Sequence, residues 1–548
     1  MIRLSRVVTG LILAVGKGTG ASAQAPATLR LASAESAYVA VRTIKDRIDI
    51  LGLRAPSAAL SDSVNQLEPL YFAARAELAQ ALAIDPRAVA DSIDRRALIT
   101  MQQALRVDLP PRLVAETNQD GSDAAVCDYD PAALVRTSGE DALASRLYRC
   151  FGSVAGNIVV GEEHMTRLSL LARLGAEPDS ARRRALFLSL RPMWDAVDGG
   201  RPSPYRVLLA RRARHWQRGS RPYEAAVRET GIPPDTVVAW LEAVLDRWRL
   251  ATADHPIEPW DLYYIMGEGN RALNRSVARD SLLSINRRFY RDLGADPDSL
   301  GIRYDILPRA GKGPVAFTTI GRRPGPGTRP ESWVFATYPE GGFDNLEELL
   351  HETGHGVHLA GLATRPAFTD WPRSDIFTEA IADVAALEVY EPAWQRKYLG
   401  DSTGLSASLR GKYFGIMMDM AWALFEIRLE QRPTADPNQV WNGLMSQYFH
   451  VVPHPELSWW AMRGQLLEET GYMLNYALGA IMVADLRRTI SLRHGAFTTG
   501  DATFYPYMQQ EIYRFGRERS ERQVVADVLG REPRPEALLE DLARIGRP

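Results

Sequence analysis

Long apolar segments and an excess of charge of one sign are both missing from this chain of 548 residues. Beyond the N-terminus, no segment offers the roughly 18 uncharged apolar residues that a membrane-spanning helix needs, so no span is expected in the mature chain. The formal net charge of −2 disfavours a nucleic-acid-binding protein, because that class usually carries a strong positive bias. Serine–glycine linkers and internal repeats are missing too. The 46% of hydrophobic residues is typical of an ordinary globular protein.

Cysteine is equally scarce, with only Cys127 and Cys150 in the chain. Neither belongs to a CxxC pair or has a histidine as a neighbour, which excludes the common cysteine metal motifs. In an exported protein the two thiols can form one disulfide across a short loop. Two buried free thiols are equally compatible with the sequence, so both states stay open.

Residues 1–23 predict a signal peptide. Two arginines precede an apolar run over residues 7–15, and the small residues at 21–23 form a cleavage site. Lys17 interrupts this pattern, and an uncleaved amphipathic start is the alternative. Gln24, not cysteine, follows the cleavage site, which argues against a lipoprotein. We therefore expect an exported protein, either periplasmic or secreted.

The most informative motif is HETGH at residues 351–355. Residues four apart share one face of a helix, so the imidazoles of His351 and His355 can bind one metal ion. Glu352 lies beside them and can take a proton from an attacking water. The motif therefore predicts a zinc site of the hydrolytic kind, with one coordination position left open.

A helix is expected around this motif, from about Asn345 to Ala360. Asp344 and Glu347 have the spacing of a capping box at its start, with Asp344 as the N-cap. Gly361 can end the helix.

A third metal ligand must come from elsewhere. His358 continues the same face, but the rise of about 1.5 Å per residue separates it from His351 by roughly 10 Å along the helix axis. Glu379 is the better candidate, in an apolar helical segment over residues 377–387. Asp383 shares its face and can accept a hydrogen bond from a ligand imidazole. Two solvated carboxylates are the alternative, but the apolar neighbours favour burial, and buried carboxylates need a partner.

HETGHGVH followed by FTEAIADVAALE resembles the zinc peptidases with two histidine ligands and one glutamate ligand, the gluzincins. The similarity is greatest to the angiotensin-converting-enzyme family of peptidyl-dipeptidases and is specific over about residues 330–480. The extra histidine at the end of HETGHGVH is similar to thimet oligopeptidase and neurolysin. The resemblance implies one zinc ion on His351, His355 and Glu379, with Asp383 hydrogen-bonded to a ligand.

The resemblance also implies roles for residues outside the two motifs. Tyr476 matches the tyrosine that stabilises the oxyanion, and Tyr472 is a second candidate for that role. Ala336 and Thr337 belong to a segment similar to the edge strand that aligns the substrate backbone. Arg463 is near the position of the basic anchor for a substrate C-terminal carboxylate.

Three positions depart from the angiotensin-converting-enzyme pattern. Asn475 and Met445 stand where that family often has chloride-binding arginines, so chloride activation is not expected. Phe335 replaces a histidine of the substrate-binding strand. These departures leave the substrate preference open.

The predicted function is hydrolysis of oligopeptides by a zinc-dependent dipeptidyl carboxypeptidase, with Glu352 as the general base. An endo-acting oligopeptidase of the thimet type is one alternative. A zinc-containing protein that binds peptides without catalysis is another, although pure binding would not need Glu352. Peptides are the expected partners, and the sequence indicates no oligomeric state.

The expected fold is mainly α. Helical periodicity covers five segments: Ser33–Leu51, Leu70–Ala83, Asp141–Arg173, Pro234–Arg249 and Ser276–Leu293. Three strands form a small antiparallel sheet beside the zinc helix, at Arg303–Leu307, Val315–Thr319 and Trp333–Tyr338. The resemblance implies a helical ellipsoid with a deep central channel. We expect an N-terminal helical subdomain over residues 24–300 and a catalytic subdomain over residues 301–548.

Overall fold

The computed structural model describes most of the chain. The described residues are 27–54, 58–111, 124–200, 202–216, 224, 227, 230–252, 255–309, 312, 315–325, 328–468 and 471–546. The signal peptide predicted at residues 1–23 lies outside them. No helix among them is long and apolar enough to cross a membrane.

The first three helices share a hydrophobic core of their own. They are α1 (Ala27–Leu53), α2 (Ala58–Ala81) and α3 (Ser92–Val107). The N-cap of α3 is Asp91, whose carboxylate accepts two backbone N–H groups of the first turn. Phe368, from a much later part of the chain, is fully buried within this N-terminal core. The N-terminal helices are therefore packed directly against the loop that follows the predicted zinc helix.

Ten further helices precede the three-stranded sheet within the described residues. They are α4 (Pro131–Ser138), α5 (Glu140–Ala155), α6 (Arg167–Ala176), α7 (Ser180–Leu188), α8 (Arg191–Asp198), α9 (Pro204–Trp216), α10 (Val237–Ala251), α11 (Leu262–Met266), α12 (Glu268–Leu273) and α13 (Leu282–Asp292).

The helical segment predicted over residues 141–173, which its glycines at 152, 156 and 161 can break into shorter pieces, is divided by a short hairpin. Gly156 ends α5, and the strands β1 (Ile158–Val160) and β2 (Glu163–Met165) then pair antiparallel before α6 begins. Gly161 lies between these strands with a φ of 64°, a conformation that favours glycine. Cys150 of α5 forms a disulfide with Cys127, which resolves the question that the sequence left open.

Ten helices follow the three-stranded sheet in the part of the chain that the structure describes. They are α14 (Phe343–Ala360), α15 (Asp375–Ala386), α16 (Pro392–Leu399), α17 (Leu405–Gln431), α18 (Pro437–Phe449), α19 (Gln465–Glu468), α20 (Met473–Arg493), α21 (Phe504–Glu511), α22 (Glu521–Leu529) and α23 (Glu536–Ala543). Their buried side chains form one continuous hydrophobic core with those of α4–α13. The prediction of a mainly α fold with a small sheet is confirmed, whereas the division into two subdomains stays a prediction.

The three-stranded sheet consists of β3 (Ile302–Asp305), β4 (Phe317–Arg322) and β5 (Glu331–Phe335) in the order β3-β5-β4. Strands β4 and β5 are antiparallel, as expected, whereas β3 joins β5 in parallel. Because β5 has a partner on both sides, the prediction that its segment is an edge strand is wrong. The edge strands are β3 and β4, and β4 reaches the HETGH helix through Thr318.

The predicted zinc helix, α14, begins two residues earlier than expected. Its N-cap is Gly342, with a φ of 119°, and no side chain caps it. Asp344 lies inside the first turn and accepts a hydrogen bond from Asn270 at 2.5 Å. The predicted capping box is therefore wrong, because the chain enters the helix through the glycine. The end of the helix at Gly361 is confirmed.

The glycine inside HETGH permits a close crossing of α14 and α15. A Cβ atom on Gly354 would lie 2.5 Å from the carbonyl oxygen of Ala382. A Cβ atom on Gly356 would likewise lie 3.1 Å from the Ser332 hydroxyl of β5. These two glycines allow α15 and the sheet to approach α14 on two sides. The crossing at Gly354 brings Glu379 of α15 to the histidines of the motif.

Candidate metal centre

Three side chains from α14 and α15 converge at the helix crossing. The Nε2 atom of His351 lies 3.4 Å from the Glu379 carboxylate, and the Nε2 atom of His355 lies 3.9 Å from it. One ligand atom from each of the three residues can be chosen so that all lie within 4.8 Å of one another. The structure thus brings together the three ligands that the sequence predicted.

Asp383 orients the first histidine. Its carboxylate lies 2.7 Å from Nδ1 of His351, one helical turn beyond Glu379. A proton on Nδ1 directs the lone pair of Nε2 towards Glu379, which is the tautomer that a metal ligand requires. Burial alone would lower the pKa of His351, but the contacts with Asp383 and Glu379 outweigh it and hold that pKa well above its usual value.

The two remaining histidines of α14 are buried among aromatic rings. His355 is buried with its ring 5.5 Å from that of Trp371, and burial holds its pKa well below the usual value. His358 is 1% exposed and packs against the rings of Phe377 and Tyr513. Burial lowers the pKa of His358 to about 4. His358 lies outside the group of candidate ligands, as its distance along the helix predicted.

Glu352 is 6% exposed and faces the sheet. Thr318 of β4 donates its hydroxyl at 2.7 Å to the Glu352 carboxylate, and the same hydroxyl lies 2.8 Å from the Glu352 carbonyl oxygen. The pKa of Glu352 is raised to about 7, chiefly by burial. The charge of Glu379 contributes to the rise, whereas the Thr318 hydroxyl opposes it. A carboxylate with this pKa is well suited to accept and return a proton near neutral pH.

Thr318 was not predicted as a site residue. The sequence placed it in a strand, but nothing in its neighbours distinguishes it from the adjacent threonine. Its role depends on the pairing of β4 with β5, which sets which of the two hydroxyls faces α14. That pairing joins residues far apart in the sequence, so no local pattern could have identified Thr318.

Acidic groups outnumber basic ones around the crossing. Glu352, Glu379 and Asp383 lie together, and Glu347, one turn earlier on α14, is close enough to Asp383 to respond to its charge. Burial, together with Asp383, raises the pKa of Glu347 to about 8. Such an excess of buried carboxyl groups is stabilised by a bound cation. Two imidazole nitrogens and one carboxylate are the ligand types that hydrolytic zinc sites use, so the residues present fit zinc.

The two predicted tyrosines lie beside Glu379. Tyr472 precedes α20, Tyr476 lies in its first turn, and their rings are 5.9 Å apart. Burial raises the pKa of Tyr472 to about 12 and the pKa of Tyr476 well above its usual value. The charge of Glu379 adds to both shifts. Both phenols therefore stay protonated at neutral pH and can donate hydrogen bonds.

Arg463 lies next to Tyr476, and a second arginine lies near Arg463. The guanidinium of Arg463 is 5.0 Å from the centre of the Tyr476 ring and 3.1 Å from the carboxylate of Asp419. Arg167, at the start of α6, is close enough to respond to the charges of Arg463 and Asp419. Burial and then Arg463 lower the pKa of Arg167 to about 10. Among Arg463, Arg167 and Asp419 the cations outnumber the anion. No sequence pattern pointed to Arg167.

The substrate-binding positions predicted beyond β5 are placed differently from expectation. Ala336 is 1% exposed, and its backbone N–H donates to the carbonyl of Asp305 at 3.0 Å. That N–H cannot bind a substrate backbone. Thr337 is half-buried and follows the end of the strand. The strand beside the candidate general base is β4, through Thr318.

Solved structures share this fold. The M32 carboxypeptidase from Deinococcus radiodurans R1 is 14% identical with a TM-score of 0.58, over 93% of this chain and 97% of that one. Trypanosoma cruzi metallocarboxypeptidase 1 is 14% identical with a TM-score of 0.54, over 95% and 100% of the two chains. PZ peptidase A is 14% identical with a TM-score of 0.55, over 95% and 96%.

No family model and no curated protein sequence matches the chain. At these low identities the structural likeness shows the fold alone. The chain thus has the fold of metallocarboxypeptidases and oligopeptidases, with a cluster of side chains that could hold a metal ion.

Proposed function

We propose that the chain is a zinc-dependent carboxypeptidase that cleaves oligopeptides near a free C-terminus. The observation that carries this proposal is the convergence of His351, His355 and Glu379 within 4.8 Å, with the buried carboxylate of Glu352 on the same helix. The fold shared with metallocarboxypeptidases supports the same chemistry.

A zinc ion on His351, His355 and Glu379 would supply a Lewis acid for the scissile carbonyl and the attacking water. Glu352 accepts a proton from that water and delivers it to the leaving amine, for which a pKa of about 7 is well matched. Tyr476 donates its phenol proton in a hydrogen bond to the oxyanion that develops on the substrate. Tyr472 is the second donor within reach of the same region.

The protein offers a peptide substrate two features to which it can bind. Strand β4 pairs with β5 on one side only, so its other edge can take an extended peptide by β-addition. The side chains of Arg463 and Arg167 can hold a carboxylate, because guanidinium groups bind carboxylates through charge-assisted hydrogen bonds. A peptide with a free C-terminus satisfies both features.

Within this proposal the enzyme releases dipeptides, as the resemblance to peptidyl-dipeptidases implies. An endo-acting oligopeptidase is the second candidate, because PZ peptidase A shares the fold to a similar degree. The two differ in their need for a C-terminal carboxylate. The enzyme is proposed to act outside the cytoplasm, and the disulfide between Cys127 and Cys150 supports that location.

The test uses the mature protein with peptides that have free or amidated C-termini, with and without a chelator, and reads the products by mass spectrometry. Chelator-sensitive release of dipeptides from free C-termini only is the expected result. Equal internal cleavage of both peptides would favour the oligopeptidase. Release of single C-terminal residues would show that the enzyme is a carboxypeptidase that removes one residue at a time and not a dipeptidyl carboxypeptidase. Absence of any cleavage would leave a peptide-binding protein and overturn the proposal.

A pair of variants on α6 tests the carboxylate site. Arg167→Met should raise KM for free C-termini and leave KM for amidated peptides unchanged. Arg173→Met is the matched control, because Arg173 is on the same helix in an exposed ion pair with Glu163. Equal effects of both variants would contradict a role of Arg167 in substrate binding.

A further inference from the structure

The segment that leads into the two tyrosines is held by a buried arginine. Arg212 of α9 donates to three consecutive backbone carbonyls of α19: Leu466 at 2.9 Å, Leu467 at 3.0 Å and Glu468 at 3.2 Å. These carbonyls belong to a helix of a single turn, and the last four carbonyls of any helix lack an intrahelical donor. Arg212 is 8% exposed, so its guanidinium is committed to this segment and not to solvent.

A buried glutamate holds the other end of the same segment. Glu426 of α17 is 3% exposed and accepts the backbone N–H of Gly471 at 2.7 Å. Gly471 has a φ of 80°, the conformation that turns the chain from α19 into α20. The carbonyl of Gly471 in turn accepts the N–H of Leu474 in the first turn of α20. Gly471 immediately precedes Tyr472, so Glu426 fixes the residue at which the tyrosine pair begins.

Holding α20 in the fold does not by itself require these two charges. Farther along that helix, Asp485 is 1% exposed and pairs with Arg531 at 2.6 Å and 2.7 Å. The helix also packs against α15 and α17 through its buried apolar side chains. Arg212 and Glu426 act on the entry to the helix, where the tyrosines lie, through hydrogen bonds to backbone atoms of that entry.

We propose that Arg212 and Glu426 are positioning residues for the oxyanion donors: they clamp the α19–α20 junction and so set where Tyr472 and Tyr476 stand beside Glu379. This inference rests on the proposed peptidase function and assigns to it two buried residues that touch neither ligand nor substrate. A phenol displaced by about 1 Å loses much of its stabilisation of the transition state, since that stabilisation depends on the donor geometry.

The test is a double-mutant cycle in the full-length mature protein. Arg212→Met should lower kcat by on the order of 10–100-fold with little change in KM. In a Tyr472→Phe/Tyr476→Phe background, which lacks both phenol hydroxyls, the same substitution should have no further effect on kcat. Multiplicative losses in the two backgrounds would overturn the proposal, because a general structural defect acts whether or not the hydroxyls are present.

Matched variants separate the clamp from overall stability. Arg531→Met removes a buried ion pair from the same helix and should lower the melting temperature without lowering kcat. Arg212→Lys keeps a charge but cannot reach three carbonyls together, so it should recover kcat only in part. Glu426→Gln keeps an oxygen acceptor for Gly471 and should stay close to the wild-type kcat, whereas Glu426→Leu should not. A wild-type kcat for Glu426→Leu would contradict the clamp.

Hydrogen exchange gives a readout that does not need turnover. Arg212→Met should speed amide exchange over residues 464–476, and Arg531→Met should leave that segment unchanged. If the wild-type protein cleaves no peptide, the proposed function fails while the exchange result still decides on the clamp. Unchanged exchange in Arg212→Met would overturn the clamp whatever the activity of the protein.

Discussion

Two clusters of buried and partly buried charged side chains lie close to each other, and they differ in their balance of charge. The candidate metal centre at the crossing of α14 and α15 has an excess of carboxyl groups. The second cluster, here called the arginine–aspartate network, has as many cations as anions; its members are Arg42, Asp46, Asp108, Arg323, Asp370 and Arg517.

Asp370 and Glu352, one carboxyl group from each cluster, have pKa values that shift in opposite directions. Burial would raise the pKa of Asp370, but Arg323, Arg42 and Arg517 outweigh it and hold that pKa well below its ordinary range. At the metal centre burial prevails, and the pKa of Glu352 rises to about 7. A buried cluster with equal numbers of cations and anions needs no further ion and can serve the fold alone. A cluster with more carboxylates than cations can bind a cation that balances its charge.

The two clusters are adjacent along the chain. Asp370 pairs with Arg42 of α1 at 2.8 Å, and the next residue, Trp371, lies with its ring 5.5 Å from that of His355. Arg517 also donates to the backbone carbonyl of Trp371 at 2.7 Å. The network thus connects the N-terminal helices to the loop that packs on His355, a predicted metal ligand. Its role is structural, whereas the proposed role of the neighbouring cluster is catalytic.

The largest expected effect is the loss of catalytic activity when the general base is replaced. Glu352→Gln should lower kcat/KM by roughly 10²–10⁴-fold, because the general base is lost while the ligand set is intact. Bound zinc, measured by elemental analysis, should stay at one ion per chain. Near-native turnover would show that Glu352 is not the base.

The corresponding change in the network should affect stability and not metal binding. Arg323→Met should lower the free energy of unfolding by about 3–5 kcal/mol, because the carboxylates of Asp46 and Asp370 lose a buried partner. Arg322→Met is the matched control: its exposed pair with Glu331 should be worth about 0–1 kcal/mol. Denaturant titration measures both, and equal losses would contradict a special role of the network.

A smaller effect is expected from the carboxylate that orients a ligand. Asp383→Asn should weaken zinc binding by about 10–100-fold, because the amide fixes the His351 tautomer and basicity less well than a carboxylate does. Competition with a chromogenic chelator gives the affinity. Unchanged affinity would mean that the contact with His351 does not tune the metal site.

The smallest expected effect concerns acid stability. Because the folded-state pKa of Asp370 is depressed, its contribution to stability is present above the ordinary carboxyl value of 3.8 and is lost as the pH falls below it. Thermal unfolding should therefore show a difference between wild type and Asp370→Asn that is greatest near neutral pH and shrinks towards pH 3. A difference that does not depend on pH would show that the charge of Asp370 is not what the variant removes.

The sequence alone was sufficient for features set within one helix. The spacing of His351 and His355, and that of Glu379 and Asp383, places each pair on one face because the helical repeat is a local property. The same logic placed His358 too far from the site and the end of α14 at Gly361. Local patterns failed for the start of α14. Asp344 is a residue type that often caps helices, but the N-cap is Gly342, which has a positive φ.

Only the tertiary structure decided which residues from distant segments meet. The pairing order of the sheet made β4, not β5, an edge strand and brought Thr318 to Glu352. Packing of α6 and α9 brought Arg167 near Arg463 and Asp419, and Arg212 to the segment before the tyrosine pair. These contacts join residues tens to hundreds of positions apart, and they form because buried charges and orphan carbonyls must find partners wherever the packed helices bring them.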